Sequence, residues 1–206
     1  MTIDTQQTRR TSSLDATPTD PIWRLQVEQY HDMIRTGILT DDDPVELLEG
    51  WLVTKMPKSP PHRITTQLTR DALAGLLPPH WYVDDQEPIT TEDSEPEPDI
   101  SVVRGERRQY RDRHPGAADI ALVIEVSDTT LQRDETSKKR IYARAGIAVY
   151  WIINLPEQHI EVYTRPISNA EEPNYQQRED YQIGDAVPVI LDDAEIGRLA
   201  VRDLLP

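Results

Sequence analysis

Cysteine is missing from all 206 residues, and so is phenylalanine. Without thiols the chain forms no disulfide, no thiolate zinc or iron–sulfur centre and no cysteine nucleophile. Four Trp and eight Tyr must supply all the aromatic packing. Positive charge is also scarce: 22 Lys and Arg stand against 37 Asp and Glu, a net charge of −15. Such a chain is repelled as a whole by phosphate backbones and anionic membranes, so any polyanion partner needs a local basic face. No apolar run approaches the ~20 residues of a membrane span; the longest are 121–126 and 149–155. Residues 1–19 are polar and lack the apolar stretch of a secretory signal. The expected setting is cytoplasmic, with no membrane partner.

What is present falls into clear blocks. Residues 1–20 read as a disordered N-terminal tail and 21–206 as one domain. Asp20-Pro21 reads as a helix start, and Val27, Tyr30, Met33 and Ile34 recur at helical spacing, predicting a helix over 21–36. Residues 45–56 are strand-like and broken by Glu49-Gly50, the pattern of a hairpin. A second helix is expected over 62–77, after Ser59-Pro60-Pro61. Extended runs follow at 81–83, 87–90 and 100–103. Residues 121–126 look like a central strand buried on both faces. A helix is expected over 133–144, strands at 149–154 and 160–164, and only short strands and turns beyond. The order gives a mixed α/β fold, with helices packed on a central sheet.

Three acids sit where charge is costly. Glu125 lies inside the apolar run, Asp99 follows Pro98 at the mouth of a strand, and Glu46 is flanked by apolar residues. Taken singly, each reads as a turn cap or an arginine partner. Converging, they would form a hard oxygen site suited to Mg²⁺ or Mn²⁺. On the helix that follows Glu125, residues Asp134, Lys138, Ile141, Tyr142 and Ala145 share one face. That face is apolar, so Lys138 should point at the sheet, while Lys139 turns toward solvent. A Lys138–Asp134 pair along the helix is the competing arrangement.

Between Arg104 and Arg144 there are ten basic residues against seven acidic ones, the one basic island in the chain. It offers Arg104, Arg107, Lys139 and Arg140 as contacts for a phosphate backbone. It equally suits an arginine-rich loop in solvent, or one paired with acids of a second subunit.

Several of these segments together resemble a known family. Glu95-Pro96-Glu97-Pro98-Asp99-Ile100 is followed by Leu122-Val123-Ile124-Glu125-Val126-Ser127. Then come Asp134-x-x-x-Lys138-x-x-x-Tyr142-Ala143 and Tyr150-Trp151-Ile152-Ile153-Asn154. In this order they resemble the Uma2 family of the PD-(D/E)XK nuclease superfamily, as do Val45–Gly50 and Ser59-Pro60-Pro61-His62. The resemblance implies a restriction-endonuclease-like core, a mixed central β-sheet flanked by helices. It implies metal-dependent hydrolysis of phosphodiester bonds in DNA, with Mg²⁺ as cofactor and Mn²⁺ as substitute. Asp99 and Glu125 would be the two carboxylates, holding the ion with the Val126 carbonyl. The superfamily's lysine normally stands two residues after the second acid, where this chain has Ser127; Lys138 takes its place from the next helix. Glu46 is a further ligand candidate, with Glu49 as competitor. Tyr142, Gln86 and His62 would stand behind these groups, His62 as a cap of the second helix or, as the alternative, as a substrate contact. A homodimer would fit double-strand cutting by analogy alone. The alternatives are an inactive nuclease fold serving as a binding or assembly module, and hydrolysis of a small phosphorylated ligand.

Overall fold

The structure is a computed structural model that describes residues 21–40 and 42–206. The expected tail and Asp20 lie outside the described residues. Six strands form the central sheet in the order β3-β4-β5-β6-β7-β8: β3 (Trp81–Asp84), β4 (Ile100–Arg104), β5 (Ile120–Ser127), β6 (Val149–Asn154), β7 (His159–Ile167) and β8 (Asn174–Gln182). Only β5 and β6 run parallel. A parallel pair needs a crossover, and here it is helical: α3 (Leu131–Arg133), a π-helical turn (Asp134–Lys138) and α4 (Lys139–Ala145) in succession. Gly146 ends α4 with φ +76, the left-handed cap that glycine adopts without strain. The expected helix is therefore present, but its middle turn is π rather than α.

Every residue of β5 is buried, as its apolar run, broken only by Glu125 near its end, predicts. Ile124 and Val126 pack on one face with Leu73 of α2 (Pro60–Ala74), the hairpin of β9 (Ala186–Leu191) and β10 (Ala194–Ala200), and α5 (Val201–Leu204). Val123 packs on the other face with Ile141, Tyr142 and Tyr150. Each fully buried aliphatic side chain contributes about 1.5–3 kcal/mol, so the two cores clamp β5 from both sides. Glu125 lies on this second face, beneath the helical crossover.

Four expectations are corrected. The first helix, α1 (Val27–Arg35), starts late, because the Leu25 N–H is used by the Gly50 carbonyl at 2.9 Å. α2 starts early: Pro60 and Pro61 are its first turn, where a missing N–H costs nothing, and Ser59 caps it. Residues 87–90 form no strand; only Thr90 bridges to Gly116, since Pro88 has no N–H to donate. The C-terminal part holds long strands, not short ones. The hairpin of β1 (Val45–Leu48) and β2 (Trp51–Thr54) is as expected. Its two loop residues, Glu49 (φ +49) and Gly50 (φ +78), have the positive φ values of a tight I′ turn.

Candidate active site

The Pro-rich approach to β4 is held extended on one side. Pro96 and Pro98 bias their predecessors away from helix. Their carbonyls accept the Ile89 N–H at 3.0 Å and the Gln86 N–H at 3.2 Å. On its other side the Glu95 N–H meets the Leu47 carbonyl at 2.7 Å, which docks β1 alongside. β4 pairs antiparallel with β5, Ile100 opposite Ile124. One step further in that register brings Asp99 beside Glu125. The acids are thus joined by sheet pairing, and β1 adds Glu46.

All three are buried, at 2%, 8% and 3% exposure for Glu46, Asp99 and Glu125. Lys138 is buried with them and does point at the sheet, its Nζ 2.9 Å from Glu125 Oε1 and 3.4 Å from Glu46 Oε2. The Tyr142 hydroxyl donates to the same Glu125 oxygen at 2.6 Å. Asp99 Oδ2 accepts the Val126 N–H at 2.9 Å and meets His62 Nε2 at 3.0 Å. Asp134 does not pair with Lys138; its Oδ2 accepts from Ser127 at 2.6 Å and Thr130 at 2.7 Å. That anchorage fixes the π turn, and the turn carries Lys138 inward. π turns recur at functional sites.

Apart from Val126, Ser127 and Tyr142, these groups line a cavity of about 120 Å³, together with Lys55, Lys58, Ser59, Gln86, Glu97 and Arg133. Among the described residues, every hydrogen bond to Asp99 goes to Oδ2 and every one to Glu125 goes to Oε1. One acceptor oxygen of each carboxylate is left over. Charge is unbalanced as well. Burial pushes Glu125 up to about 8, and Asp134 and Asp99 add to that rise against the pull of Lys138. Burial would raise Asp99 too, but the hydrogen bonds from His62 and Val126, with His62 and Lys138 nearby, hold it below its ordinary value. Burial would lower Lys138, yet Glu125, Glu46 and Asp134 raise it, so it stays charged.

The donors suit a hard divalent cation: they are oxygens, and a cation between them would offset the burial and like-charge crowding that raise Glu125. Among the described residues no three His, Asp or Glu already form a chelating group. Mg²⁺ does not require one, since it binds through one or two carboxylates and keeps its waters. Two spare carboxylate oxygens beside a cavity with room for water meet that demand.

The remaining expected residues sort by placement. Glu46 is engaged on both oxygens, by the Glu97 N–H (3.1 Å) and Lys138 on Oε2 and by Arg133 (3.6 Å) on Oε1, so it anchors Lys138 rather than offering an ion a free ligand. Glu49 faces away and binds Arg140 and Arg144. The Val126 N–H donates to Asp99 Oδ2, and Val126 is not among the residues that line the cavity. Gln86 lines the cavity. His62 does not cap α2; Ser59 does, accepting the His62 N–H at 3.3 Å, which frees the imidazole for Asp99. The four expected phosphate contacts do not line the cavity. Arg104 lies over Trp81 and pairs with Asp192; Arg107 binds the Val83 carbonyl and Asp84. Lys139 lies 4.9 Å from the centre of the Tyr163 ring, and Arg140 holds Glu49 at both oxygens. The cations at the cavity besides Lys138 are Lys55, Lys58 and Arg133. The first two come from the Pro-punctuated turn before α2, which charge counting over the Arg104–Arg144 stretch passed over.

A family profile described as "Uma2: Putative restriction endonuclease" matches residues 27–195. A solved structure, described as a putative nuclease belonging to DUF820 from Anabaena variabilis ATCC 29413, superposes with a TM-score of 0.63. It is 18% identical and covers 87% of this chain and 97% of its own. At that identity the likeness shows the fold. Among curated proteins no match is found. No described helix is long and apolar enough to cross a membrane.

Proposed function

From the membership of this chain in the Uma2 family, we propose that it is a metal-dependent endonuclease that hydrolyses phosphodiester bonds in DNA. One observation carries the reading: Asp99 and Glu125, adjacent in sheet register and buried, each keep an unused oxygen at a cavity that also holds Lys138. The family's description supports a nucleic-acid substrate. Asp99 and Glu125 would hold Mg²⁺, with Mn²⁺ as substitute. Such an ion, when bound, polarises a phosphoryl oxygen and makes water a stronger nucleophile at neutral pH. The chain's own groups do the rest. The Val126 N–H and His62 fix Asp99 in one rotamer. Lys138 and Tyr142 both donate to Glu125 Oε1, which turns the other oxygen to the cavity. Lys138 is held protonated by the acids around it, so it serves as a positive charge and a hydrogen-bond donor, not as a base. In that form it orients a water or offsets charge developing on phosphate.

The test is Mn²⁺ calorimetry on the unsubstituted protein and Asp99→Ala, with nicking of supercoiled plasmid in Mn²⁺ by the unsubstituted protein, Lys138→Ala and Lys138→Arg. The expected result is binding heat lost in Asp99→Ala, and nicking lost in Lys138→Ala and partly kept in Lys138→Arg. A protein that neither binds Mn²⁺ nor nicks plasmid is a nuclease fold used only as a binding module.

A further inference from the structure

A second depression lies beside the first. It has a volume of about 550 Å³ and runs along α2, past Arg63, Ile64, Gln67 and Arg70. Spacings of three, four and seven place these residues on one helical face. Lys58, Ser59 and Gln86 line both this groove and the acidic cavity, so the two spaces adjoin there. Lys58 and Arg63 are exposed and form no ion pair among the described residues, whereas Arg70 at the far end pairs with Asp71 and Asp85. Free cations are notable in a chain with a net charge of −15. Next to them, Ile64 keeps 47% of its surface exposed, and Leu68, one turn on, keeps 39%.

Building on the nuclease reading above, we propose that this groove seats an unpaired nucleic-acid strand beside the scissile phosphate, and that the enzyme prefers single-stranded to duplex substrate, nicking supercoiled plasmid where negative supercoiling leaves its strands unpaired. Lys58 and Arg63 take two successive phosphates, and the side chain of Ile64 meets the face of the base between them. Two free cations are few for a duplex. Double-stranded DNA carries one charge per ~1.7 Å, and its binding proteins commonly neutralise six to ten phosphates. An acidic molecule with two such contacts is not built to hold it. A single strand carries less charge per length and exposes base faces, which gain from apolar contact. It is also flexible enough to carry a phosphate into a cavity of only about 120 Å³.

The experiment is fluorescence anisotropy with a labelled 12-nucleotide DNA strand and with the matching duplex, in Ca²⁺, across a salt series. The strand should bind at least tenfold more tightly than the duplex, with a log–log salt slope of about −1.4 for two contacts. Lys58→Glu and Arg63→Glu should each weaken strand binding at least fivefold and flatten that slope by about 0.7. Both positions are exposed, and a thermal melt checks that the variants fold. Equal or tighter duplex binding, or an unchanged strand affinity in both variants, overturns the proposal. Hydrolysis of bis(p-nitrophenyl) phosphate by the unsubstituted protein in Mn²⁺ separates the two failures. Turnover of this small diester without strand preference sinks the groove alone; no turnover and no Mn²⁺ binding sink the nuclease reading itself.

Discussion

Glu125 and Glu161 stand in the same row of the central sheet. Ile152 of β6 is paired with Glu125 on one side and Glu161 on the other, so the two acids share a face about 10 Å apart. Both are buried, at 3% and 1% exposure. Their surroundings differ. Glu161 is engaged on both oxygens: Asn154 (3.4 Å), His159 (3.4 Å) and Arg178 (3.3 Å) reach Oε1, and the Tyr163 hydroxyl donates to Oε2 at 2.6 Å. Glu125 has donors on one oxygen only, and Asp99 and Asp134 crowd it with like charge. Burial alone therefore marks neither acid as functional. The mark is a carboxylate left incompletely satisfied, beside other carboxylates, at a cavity.

The cation of each cluster gives the sharpest contrast. Removing one partner of a buried ion pair costs about 3–5 kcal/mol, while an exposed pair is worth up to about 1 kcal/mol. Lys138→Met should lose the larger amount in urea unfolding, since it strands Glu125 and Glu46. Arg178→Met should lose the smaller, since the Arg178 side chain is 42% exposed. Mn²⁺ should restore part of the loss in Lys138→Met and add nothing special to Arg178→Met. Equal losses with no metal effect would make both clusters purely structural.

The acids themselves should respond in opposite ways. Glu125→Gln should cut plasmid nicking by at least about 100-fold, the scale of losing a preorganised charge at a reacting centre. It should cost little stability, because Gln keeps an acceptor for Lys138 and matches the neutral carboxyl that burial favours there. Glu161→Gln should leave nicking intact and lose about 1–3 kcal/mol, since Gln brings an NH₂ against donors that need acceptors. Paired assays of nicking and urea unfolding decide this; a loss of nicking in Glu161→Gln of the same size would erase the distinction.

The sequence made one half of this comparison legible. Glu125 interrupts a continuous apolar run, so its burial could be read directly. Lys138 could be placed by helical spacing, although the turn that carries it is π. Glu161 sits in a cleanly alternating strand and reads as a solvent-facing position. Its burial depends on β8 and on the helical crossover, which bring Arg178 and Lys139 over that face. The central strands were legible because β5 and β6 are apolar apart from Glu125, Ser127 and Asn154. The start of α1 was not, because a tertiary hydrogen bond from Leu25 to Gly50 sets it. The basic contacts were misplaced for a related reason. Counting charge along the chain cannot show that Arg140 and Arg144 are neutralised by Glu49 and Asp93, far away in sequence.

A pH series separates the crowded acid from its neighbours. Glu125 is raised from 4.5 to about 8. Between those values the folded protein holds a proton that the unfolded chain has released, so stability must fall as pH rises through that window. Asp99 is shifted the other way, so its contribution is lost only as pH falls below its ordinary 3.8. The urea midpoint of the metal-free protein should therefore decline from pH 5 to pH 8, and Glu125→Gln should flatten the decline. An unchanged slope in that variant would assign the titration elsewhere.

The smallest effect tests how Lys138 is held. Ser127 lies two residues past Glu125, at the end of β5. Its hydroxyl donates to Asp134 Oδ2 at 2.6 Å, and Thr130 donates to the same oxygen at 2.7 Å. The Tyr150 hydroxyl reaches the Asp134 carbonyl at 3.1 Å. Asp134 thus pins the first residue of the π turn to the sheet, and Lys138 is the last residue of that turn. Ser127→Ala removes one of three ties. The cost should be about 1 kcal/mol in urea unfolding. Since 1.36 kcal/mol is tenfold in rate, nicking should fall by less than tenfold, with Mn²⁺ affinity unchanged because neither Asp99 nor Glu125 loses a contact. A drop as large as that of Lys138→Ala would mean that Ser127 acts on the substrate directly and not through the turn.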